Sequence, residues 1–197
     1  MRVVKVGGSL MGHLGETLRV LREHEVLIVP GGGVFAEEVR RAYREHNLSE
    51  RAAHFMAIAA MDAYGELISD LSGVPARSEL RGTLPAVLLP YTLLRMLDPL
   101  PHSWCITGDS IACYIAHLLG EKELLILTDV PGVVLGGRVV ERIEASELLG
   151  MGETCVDPCL PGLLIEYGMR CRVADGRSAS STRAGIEGRG GTLIEPR

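Results

Sequence analysis

The sequence predicts an α/β fold, a three-layer αβα sandwich with a mostly parallel central sheet. Short apolar runs rich in β-branched residues alternate with longer helical patterns, which is the order of elements that gives a parallel sheet covered on both faces. The 197 residues are 47% hydrophobic and 23% charged, which suits a domain that buries a substantial core. Because no linker or internal repeat interrupts the pattern, we expect residues 1–197 to form one domain.

The strands and helices follow from the hydrophobic pattern. Strands are predicted at RVVKV (2–6), EVLIVP (25–30), PAVLLP (85–90), WCIT (104–107), LLILTD (124–129), RVV (138–140), CRVAD (171–175) and GTLIEP (191–196). Helical patterns occupy residues 15–24, 35–46, 49–71, 110–120 and 161–169. The segment GVVLGGRVV is typical of a hairpin with Gly136 and Gly137 at its turn.

Composition excludes several classes of protein. The net charge of −5, the scattered basic residues and the 4% aromatic content argue against a nucleic-acid surface. No apolar run reaches the roughly 18 residues that a membrane helix needs. Cys155 and Cys159 lack the C-x-x-C spacing of a structural zinc site, and the chain starts directly with a strand rather than a leader. We therefore expect a cytoplasmic protein with reduced cysteines and a small-molecule partner, without nucleic acid or membrane.

The stretch VPGGGVFAEE (29–38) raises the question of a phosphate site. Gly31-x-Gly33-x-x-Ala36 fits the loose dinucleotide-binding fingerprint, but that motif requires a second strand with an acidic residue about 20 positions on. Here a second helical pattern follows instead, and the next predicted strand starts at Pro85. Walker A and G-x-S-x-G motifs are absent as well. Since one glycine suffices for a tight turn, three in a row suggest that the backbone approaches something closely.

Polar residues follow other predicted strands. Lys5 lies near the end of the first strand, Asp109 lies at a junction between strand and helix, and Thr128 and Asp129 end another strand. Each has an ordinary alternative: an exposed lysine, a helix cap or a simple turn. However, ligands of open α/β sheets bind at the carboxyl ends of strands, so several such residues together favour a binding site there.

These motifs, taken in order, resemble those of the amino acid kinase superfamily. The set is Lys5-x-Gly7-Gly8-Ser9, Gly31-Gly32-Gly33, Gly108-Asp109-Ser110 and Thr128-Asp129-Val130-x-Gly132-Val133, and the resemblance extends over almost the whole chain. It implies an amino acid kinase-like αβα fold and ATP-dependent phosphoryl transfer to a phosphate or carboxylate group. It also implies Mg²⁺ bridged by the nucleotide phosphates, with no metal ligand from a protein side chain.

The resemblance also implies roles for single residues. Lys5 would bridge the transferring phosphoryl oxygens and Asp109 would orient Lys5, while the glycine amides would hold the two reacting phosphates. The residues expected to bind ATP are Lys5, Gly7, Gly8, Ser9, Thr128, Asp129, Gly132 and Val133. Those expected at the acceptor are Gly31, Gly32, Gly33, His54, Asp62 and Asp157.

The sequence departs from the superfamily at two points. Acetylglutamate kinase and several relatives have a second catalytic lysine, whereas no lysine follows Lys122 here and Asp157 lies near the expected position. If that charge is needed, it must come from Arg170, Arg172 or Arg177, and the sequence leaves the choice open. The histidine that follows the glycine triplet in isopentenyl phosphate kinases is also missing.

Within the superfamily, the short length and the segments GGGVFAEEVR (31–40), HFMAIAAMDAYGELI (54–68) and SWCITGDSIACYIA (103–116) resemble a small branch of methanofuran biosynthesis. The resemblance implies conversion of an aminomethylfuran phosphate to its diphosphate. The ammonium group of that acceptor requires a carboxylate partner, and Asp157 or Asp62 could supply it. UMP, isopentenyl phosphate and carboxylates remain alternative acceptors, and a non-catalytic nucleotide-binding protein remains an alternative function. Relatives commonly form homo-oligomers through the helix after the glycine loop, which here contains FMAIAAM.

Overall fold

The computed structural model describes residues 3–151 and 154–197. Its strands are β1 (Val3–Val6), β2 (Leu27–Pro30), β3 (Ala76–Arg77), β4 (Ala86–Leu88), β5 (Glu123–Thr128), β6 (Val134–Leu135), β7 (Arg138–Val139), β8 (Arg142–Glu144), β9 (Arg170–Asp175) and β10 (Thr192–Glu195). Its helices are α1 (Leu14–Leu21), α2 (Gly33–His46), α3 (Glu50–Ser72), α4 (Tyr91–Leu97), α5 (Gly108–Leu118), α6 (Ala145–Leu148), α7 (Leu160–Tyr167) and α8 (Ala179–Ile186). A 3-10 helix, Gly8–His13, connects β1 to α1.

Eight of these strands form one sheet in the order β3-β4-β2-β1-β5-β9-β10-β8. The first six run parallel, whereas β10 is antiparallel to β9 and parallel to β8. The remaining two strands, β6 and β7, pair as a hairpin whose turn residues Gly136 and Gly137 both have positive φ. The predicted hairpin and the mostly parallel sheet are therefore confirmed.

Helices cover both faces of the sheet. Val3 of β1 belongs to one buried cluster, together with side chains of α5 and α7, while Val4 and Val6 belong to the opposite cluster with side chains of α1. Successive residues of a strand point to opposite faces of the sheet. Because helices cover each face, the side chains on both faces are buried. This arrangement is the predicted αβα sandwich. Lys5 shares the face of Val3, and so it points toward the layer that contains α5.

The predicted strand at residues 104–107 is wrong. The segment forms a turn and a short extended stretch before α5, and the ring of Trp104 packs edge-on against Tyr43 of α2, with centroids 5.5 Å apart. An apolar run of four residues predicts burial, but it does not tell a strand from a loop that packs against helices. The other seven predicted strands each overlap an observed one, with Arg2 of the first lying outside the described residues.

The sequence pattern missed several short elements. The elements that were not predicted all have only two to eight residues: β3, α4, β8, α6, α8 and the 3-10 helix. α8 was missed because its sequence, ASSTRAGI, is rich in serine, threonine and glycine, which are weak helix formers. The hydroxyl of Ser178 stabilises its first turn by accepting a hydrogen bond from the Ser181 amide at 3.2 Å. No helix in the described ranges is long and apolar enough to cross a membrane.

Candidate active site

The parallel register brings the predicted motifs to one edge of the sheet. Val6 of β1 lies opposite Pro30 of β2 on one side and Leu127 of β5 on the other, and Thr128 of β5 lies opposite Asp175 of β9. The glycine loops and the polar strand ends follow directly after these positions. Because parallel strands end at the same edge, residues far apart in sequence meet there.

Lys5 and Asp109 form an ion pair at this edge. The Lys5 Nζ lies 2.7 Å from Asp109 Oδ1, and the two side chains are only 12% and 8% exposed. The contact is a charge contact rather than a well-directed hydrogen bond, because Oδ1 accepts no hydrogen bond from the described residues. The other oxygen, Oδ2, accepts a hydrogen bond from the Asp157 amide at 3.1 Å, which fixes the Asp109 carboxylate. Burial strengthens this attraction relative to a pair in water.

The glycine loops contact each other backbone to backbone. A methyl group on Gly8 would lie 2.4 Å from the Cα of Gly33, and one on Gly31 would lie 2.9 Å from the Gly8 nitrogen. A methyl group on Gly108 would lie 3.3 Å from the Cα of Gly31. Gly33 also has a φ of 53°, a conformation that favours glycine. The close approach predicted from three glycines therefore exists, and part of it is between the loops themselves.

Two of the predicted phosphate-binding amides are already used inside the protein. The Gly7 amide donates to the Leu127 carbonyl at 2.8 Å, and the Gly31 amide donates to the Val6 carbonyl at 2.8 Å. These bonds fix the loops to the sheet, so the structure does not support direct phosphate contacts from these two amides. In the described part of the chain, the amides of Gly8 and Gly32 donate to no other group, and they remain available for an anion.

A cavity of about 210 Å³ opens beside Lys5, between the glycine loops, α2, α3 and the segment before α5. Its lining includes Lys5, Gly8, Gly31, Gly32, Gly33, Glu37, Arg40, Glu50, His54, Ile58, Met61, Trp104, Ile106 and Thr107. The acceptor residues predicted from the sequence that reach this cavity are the three glycines and His54. The cavity thus lies on the β2 side of Lys5.

His54 lies on the α3 wall of this cavity. Its ring centroid is 4.9 Å from that of His102, whose Nε2 lies 2.8 Å from a carboxylate oxygen of Asp98. Partial burial lowers the pKa of His54, the charge of His102 lowers it further, and Asp98 raises it to a smaller degree. His54 is therefore a neutral donor and acceptor at pH 7.

Asp157 does not face the cavity. Its Oδ2 accepts hydrogen bonds from the Thr107 amide (3.0 Å), the Thr107 hydroxyl (2.9 Å) and the Ser110 amide (2.9 Å). Its Oδ1 accepts from the Ser110 hydroxyl (2.6 Å) and from the amides of Cys159 (3.1 Å) and Leu160 (2.9 Å). With six donors on a residue that is 6% exposed, no acceptor capacity remains for a substrate ammonium. The structure thus contradicts the predicted substrate contact and assigns Asp157 to the scaffold.

Asp62 is also placed away from the cavity. Its Oδ1 accepts the Tyr91 amide at 3.0 Å, at the start of α4, and the residue is not among those that line the cavity. Burial raises the pKa of Asp62, while this backbone hydrogen bond lowers it. The predicted acceptor role of Asp62 is therefore not supported, and the residue connects α3 to α4.

The opposite side of Lys5 carries the residues predicted for the nucleotide. The hydroxyls of Ser9 and Thr128 lie 3.3 Å apart, and the Thr128 hydroxyl donates to the Asp129 carboxylate at 3.3 Å. Asp129 is exposed at the end of β5. These three residues lie together, between the 3-10 helix and the end of the sheet.

Gly132 and Val133, which the resemblance assigns to ATP binding, lie where the β6–β7 hairpin meets β10. Val133 is 2% exposed, its amide donates to the Thr192 hydroxyl at 2.8 Å, and its carbonyl accepts from the Val140 amide at 3.0 Å. Gly132 has a φ of 143°, and a methyl group there would lie 2.5 Å from the same hydroxyl. Both residues hold the β6–β7 hairpin against β10, so direct nucleotide contact from Val133 is not supported.

The three arginines considered for the missing second lysine lie at opposite ends of β9. Arg170 and Arg172 lie near its amino end, where Arg170 pairs with Glu123 at 3.0 Å. Arg177 follows the carboxyl end and pairs with Asp175 through two nitrogens, at 3.0 and 2.8 Å. The Asp175 carboxylate raises the pKa of Arg177, mainly through these hydrogen bonds. Only Arg177 is therefore at the edge where Lys5 lies.

Sequence reasoning missed much of the cavity lining, including Glu37, Arg40, Glu50 and Trp104. Glu37 and Arg40 follow Gly33 by four and seven residues, a helical spacing that places them on the face of the glycine loop. That signal was available in the sequence. The position of Glu50 depends on the packing of α3 against α2, for which the sequence has no comparable signal. Across the described ranges, no three His, Cys, Asp or Glu side chains are grouped to hold a metal ion.

Known proteins similar to this chain are kinases. A sequence profile of the amino acid kinase family matches residues 91–175. The [5-(aminomethyl)furan-3-yl]methyl phosphate kinase of Methanocaldococcus jannaschii is 34% identical, over 96% of this chain and 94% of its own. A putative [LysW]-aminoadipate/[LysW]-glutamate kinase of Ignicoccus hospitalis is 33% identical over 74% of this chain and 51% of its own. Among solved structures, a uridylate kinase from Archaeoglobus fulgidus superposes with a TM-score of 0.73 at 19% identity, covering 98% of this chain and 100% of the other.

Proposed function

This chain belongs to the amino acid kinase family, and we propose that it transfers the γ-phosphoryl group of ATP to [5-(aminomethyl)furan-3-yl]methyl phosphate, giving the diphosphate. Its relatives are kinases, and it is a phosphotransferase. The observation that carries the choice of acceptor is the 34% identity, over almost the full length of both chains, to the kinase named for that substrate. The Lys5–Asp109 pair, with a cavity on one side and exposed polar groups on the other, fits this reaction.

In the proposed reaction, an oxygen of the acceptor phosphate attacks the γ-phosphorus of ATP. The bond from that phosphorus to the β–γ bridging oxygen breaks, and ADP leaves with the electron pair. Lys5 stabilises the charge on the transferring phosphoryl oxygens, and Asp109 orients Lys5 rather than acting as a base. The free amides of Gly8 and Gly32 hold the phosphates on either side.

ATP enters this proposal together with Mg²⁺. The family resemblance implies that the nucleotide phosphates would hold the ion, and the exposed Asp129 carboxylate lies at the same edge of the sheet, where its negative charge would favour a bound cation. When bound, the ion neutralises phosphate charge. The nearby Thr128 and Ser9 hydroxyls position the nucleotide phosphates.

A non-catalytic nucleotide-binding protein is the second hypothesis, because the second lysine of several relatives is missing. We assign the role of the missing second cation to Arg177, because its guanidinium lies at the same edge of the sheet as Lys5. Its bidentate pairing with Asp175 keeps the guanidinium in a fixed orientation. The intact Lys5–Asp109 pair also supports catalysis.

The proposal is tested by measuring the rate of ADP release with four acceptors, which are the aminomethylfuran phosphate, UMP, isopentenyl phosphate and acetylglutamate. We expect turnover with the furan phosphate and at least tenfold lower kcat/KM with the others. Faster turnover with UMP or acetylglutamate would contradict the acceptor and leave the kinase chemistry intact. ATP binding without turnover of any acceptor would favour the non-catalytic hypothesis.

Location and assembly complete the proposal. All five cysteines are free, which supports a reducing compartment such as the cytoplasm. Met56 of α3 and Met96 and Leu97 of α4 are exposed apolar side chains, 40%, 77% and 46% accessible, and because α3 packs against α4, these two helices are the proposed surface for self-association. Sedimentation velocity measures the resulting mass.

A further inference from the structure

The acceptor cavity has two chemically different ends. At one end lie Lys5 and the glycine amides, which suit a phosphate group. The lining also contains two carboxylates: Glu37 lies one turn after Gly33 on α2, whereas Glu50, at the first position of α3, is bonded to Tyr43 near the far end of α2. Ile58, Met61 and the flat ring of Trp104 give the same lining an apolar part. A cavity of this kind fits a molecule with an anionic end, an apolar centre and a cationic end.

The two carboxylates differ in how far their charge is balanced. Glu37 lies 3.8 Å from the guanidinium of Arg40, which itself stacks over the ring of Trp104 at 5.0 Å. Among the described residues, Glu50 has no basic group within 4.0 Å, and its carboxylate instead accepts a hydrogen bond from the Tyr43 hydroxyl. Glu50 is therefore the carboxylate of this cavity whose charge is available to a ligand.

The surroundings hold Glu50 in place. The Tyr43 hydroxyl orients its carboxylate, and the Tyr43 ring packs edge-on against Trp104 with centroids 5.5 Å apart. Hydrogen bonding to Glu50 raises the pKa of Tyr43, so the phenol remains a donor. Glu50 also lies at the start of α3, where the positive end of the helix dipole attracts a negatively charged side chain.

We propose that Glu50, oriented by Tyr43, binds the ammonium group of the acceptor and sets the preference for aminated over neutral phosphate esters. The inference rests on the proposed function, since it assigns the residue that recognises the aminomethyl group. Glu50 thus takes the role that the sequence suggested for Asp157 or Asp62, whose carboxylates serve the scaffold. Glu37, which is already paired, contributes less.

Two acceptors and one substitution test this assignment. The unaltered protein should prefer the aminomethylfuran phosphate over its neutral isostere, [5-(hydroxymethyl)furan-3-yl]methyl phosphate, by roughly tenfold or more in kcat/KM, the size of a charged hydrogen bond. Glu50→Gln should reduce this preference to about threefold or less, mostly by raising KM for the aminated acceptor. Tyr43→Phe, which leaves the carboxylate in place, should shift the preference in the same direction by a smaller factor.

Glu38→Gln is the matched control. Glu38 is the neighbour of Glu37 on α2, pairs with Arg41 and does not line the cavity, so the preference should stay at the unaltered value. An unchanged preference in Glu50→Gln, with turnover intact, would overturn the assignment of Glu50 alone. No turnover of either furan phosphate by the unaltered protein would remove the proposed function, and this inference with it. The thermal unfolding midpoint of each variant shows whether a loss of activity with both acceptors comes from loss of the fold.

Discussion

Asp157 connects three parts of the site through one side chain. Its carboxylate accepts six hydrogen bonds that join the start of α5 to the start of α7, and its own amide holds Asp109, the partner of Lys5. The family resemblance predicts a lysine near this position, whereas this chain has an aspartate whose hydrogen bonds all come from the protein. Such a buried and fully bonded carboxylate is a positioning residue.

The first prediction concerns this residue. In Asp157→Asn, the new amide nitrogen would face donors that now point at a carboxylate oxygen, which leaves buried N–H groups unpaired. We expect a loss of about 2–4 kcal/mol in the free energy of unfolding and a fall in kcat, with little change in KM for the aminated acceptor. Urea unfolding and steady-state kinetics measure these effects. Asp62→Asn, whose side-chain oxygen can still accept the single hydrogen bond from the Tyr91 amide, should cost much less. A selective rise of the acceptor KM in Asp157→Asn would restore the predicted role of Asp157 as a ligand.

A second prediction at this scale concerns pH. Burial lowers the pKa of His54 in the folded protein below its ordinary value, so the unfolded chain binds a proton first as the pH falls. Stability is therefore complete above the unfolded pKa of about 6.5 and is lost as the pH falls through the folded pKa. His102 and Asp98 face the ring and act in opposite directions, with His102 the stronger. Unfolding free energies of the unaltered protein and His54→Gln should converge between pH 7.5 and pH 5.5, whereas parallel curves would contradict the shift.

At the scale of elements, the sequence predicted what depends on local pattern. Lys5 and Asp109 were expected at one sheet edge because Lys5 lies near the end of a predicted strand and Asp109 at a predicted junction between strand and helix, and the structure places them 2.7 Å apart. Glu50 was missed because its position depends on how α3 packs against α2, which no local pattern encodes. The segment at residues 104–107 was wrongly assigned to a strand because a local apolar pattern does not show what the residues pack against. In the structure Trp104 packs against a helix rather than within the sheet.

The glycine loops give the third prediction, at the level of an element. In Gly8→Ala the methyl group would lie 2.4 Å from the backbone of Gly33, and since neither group is a flexible side chain, the loops must separate. We expect a loss of roughly 1–3 kcal/mol in stability and at least a hundredfold lower kcat, because the amides that hold the phosphates move with the loops. The control is Gly12→Ala in the same 3-10 helix, where a methyl group meets nothing within 4 Å. Equal kinetics in the two variants would contradict this account of the loops.

At the scale of the whole molecule, the parallel sheet separates the site from the opposite edge. Both ends of β9 carry arginines, but only the carboxyl end shares an edge with Lys5, Thr128 and the glycine loops. The acceptor cavity lies on the β2 side of Lys5, and the polar groups Ser9, Thr128 and Asp129 lie on the β5 side. Topology therefore decides which of several similar side chains can take part in the reaction, which the sequence alone left open.

This separation yields the last prediction. Arg177→Gln removes a guanidinium from the nucleotide side, and kcat/KM for ATP should fall about tenfold or more, as when one donor to a developing oxyanion is lost. Arg170→Gln removes the same charge from the same strand, but at the opposite edge, where Arg170 pairs with Glu123, so the kinetics should stay within about twofold of the unaltered protein. KM for the acceptor should change in neither variant, because the acceptor cavity lies across Lys5 from Arg177. Equal losses in both variants would mean that net charge, rather than position at the site, determines the effect, and Arg177 would then not be the second cation.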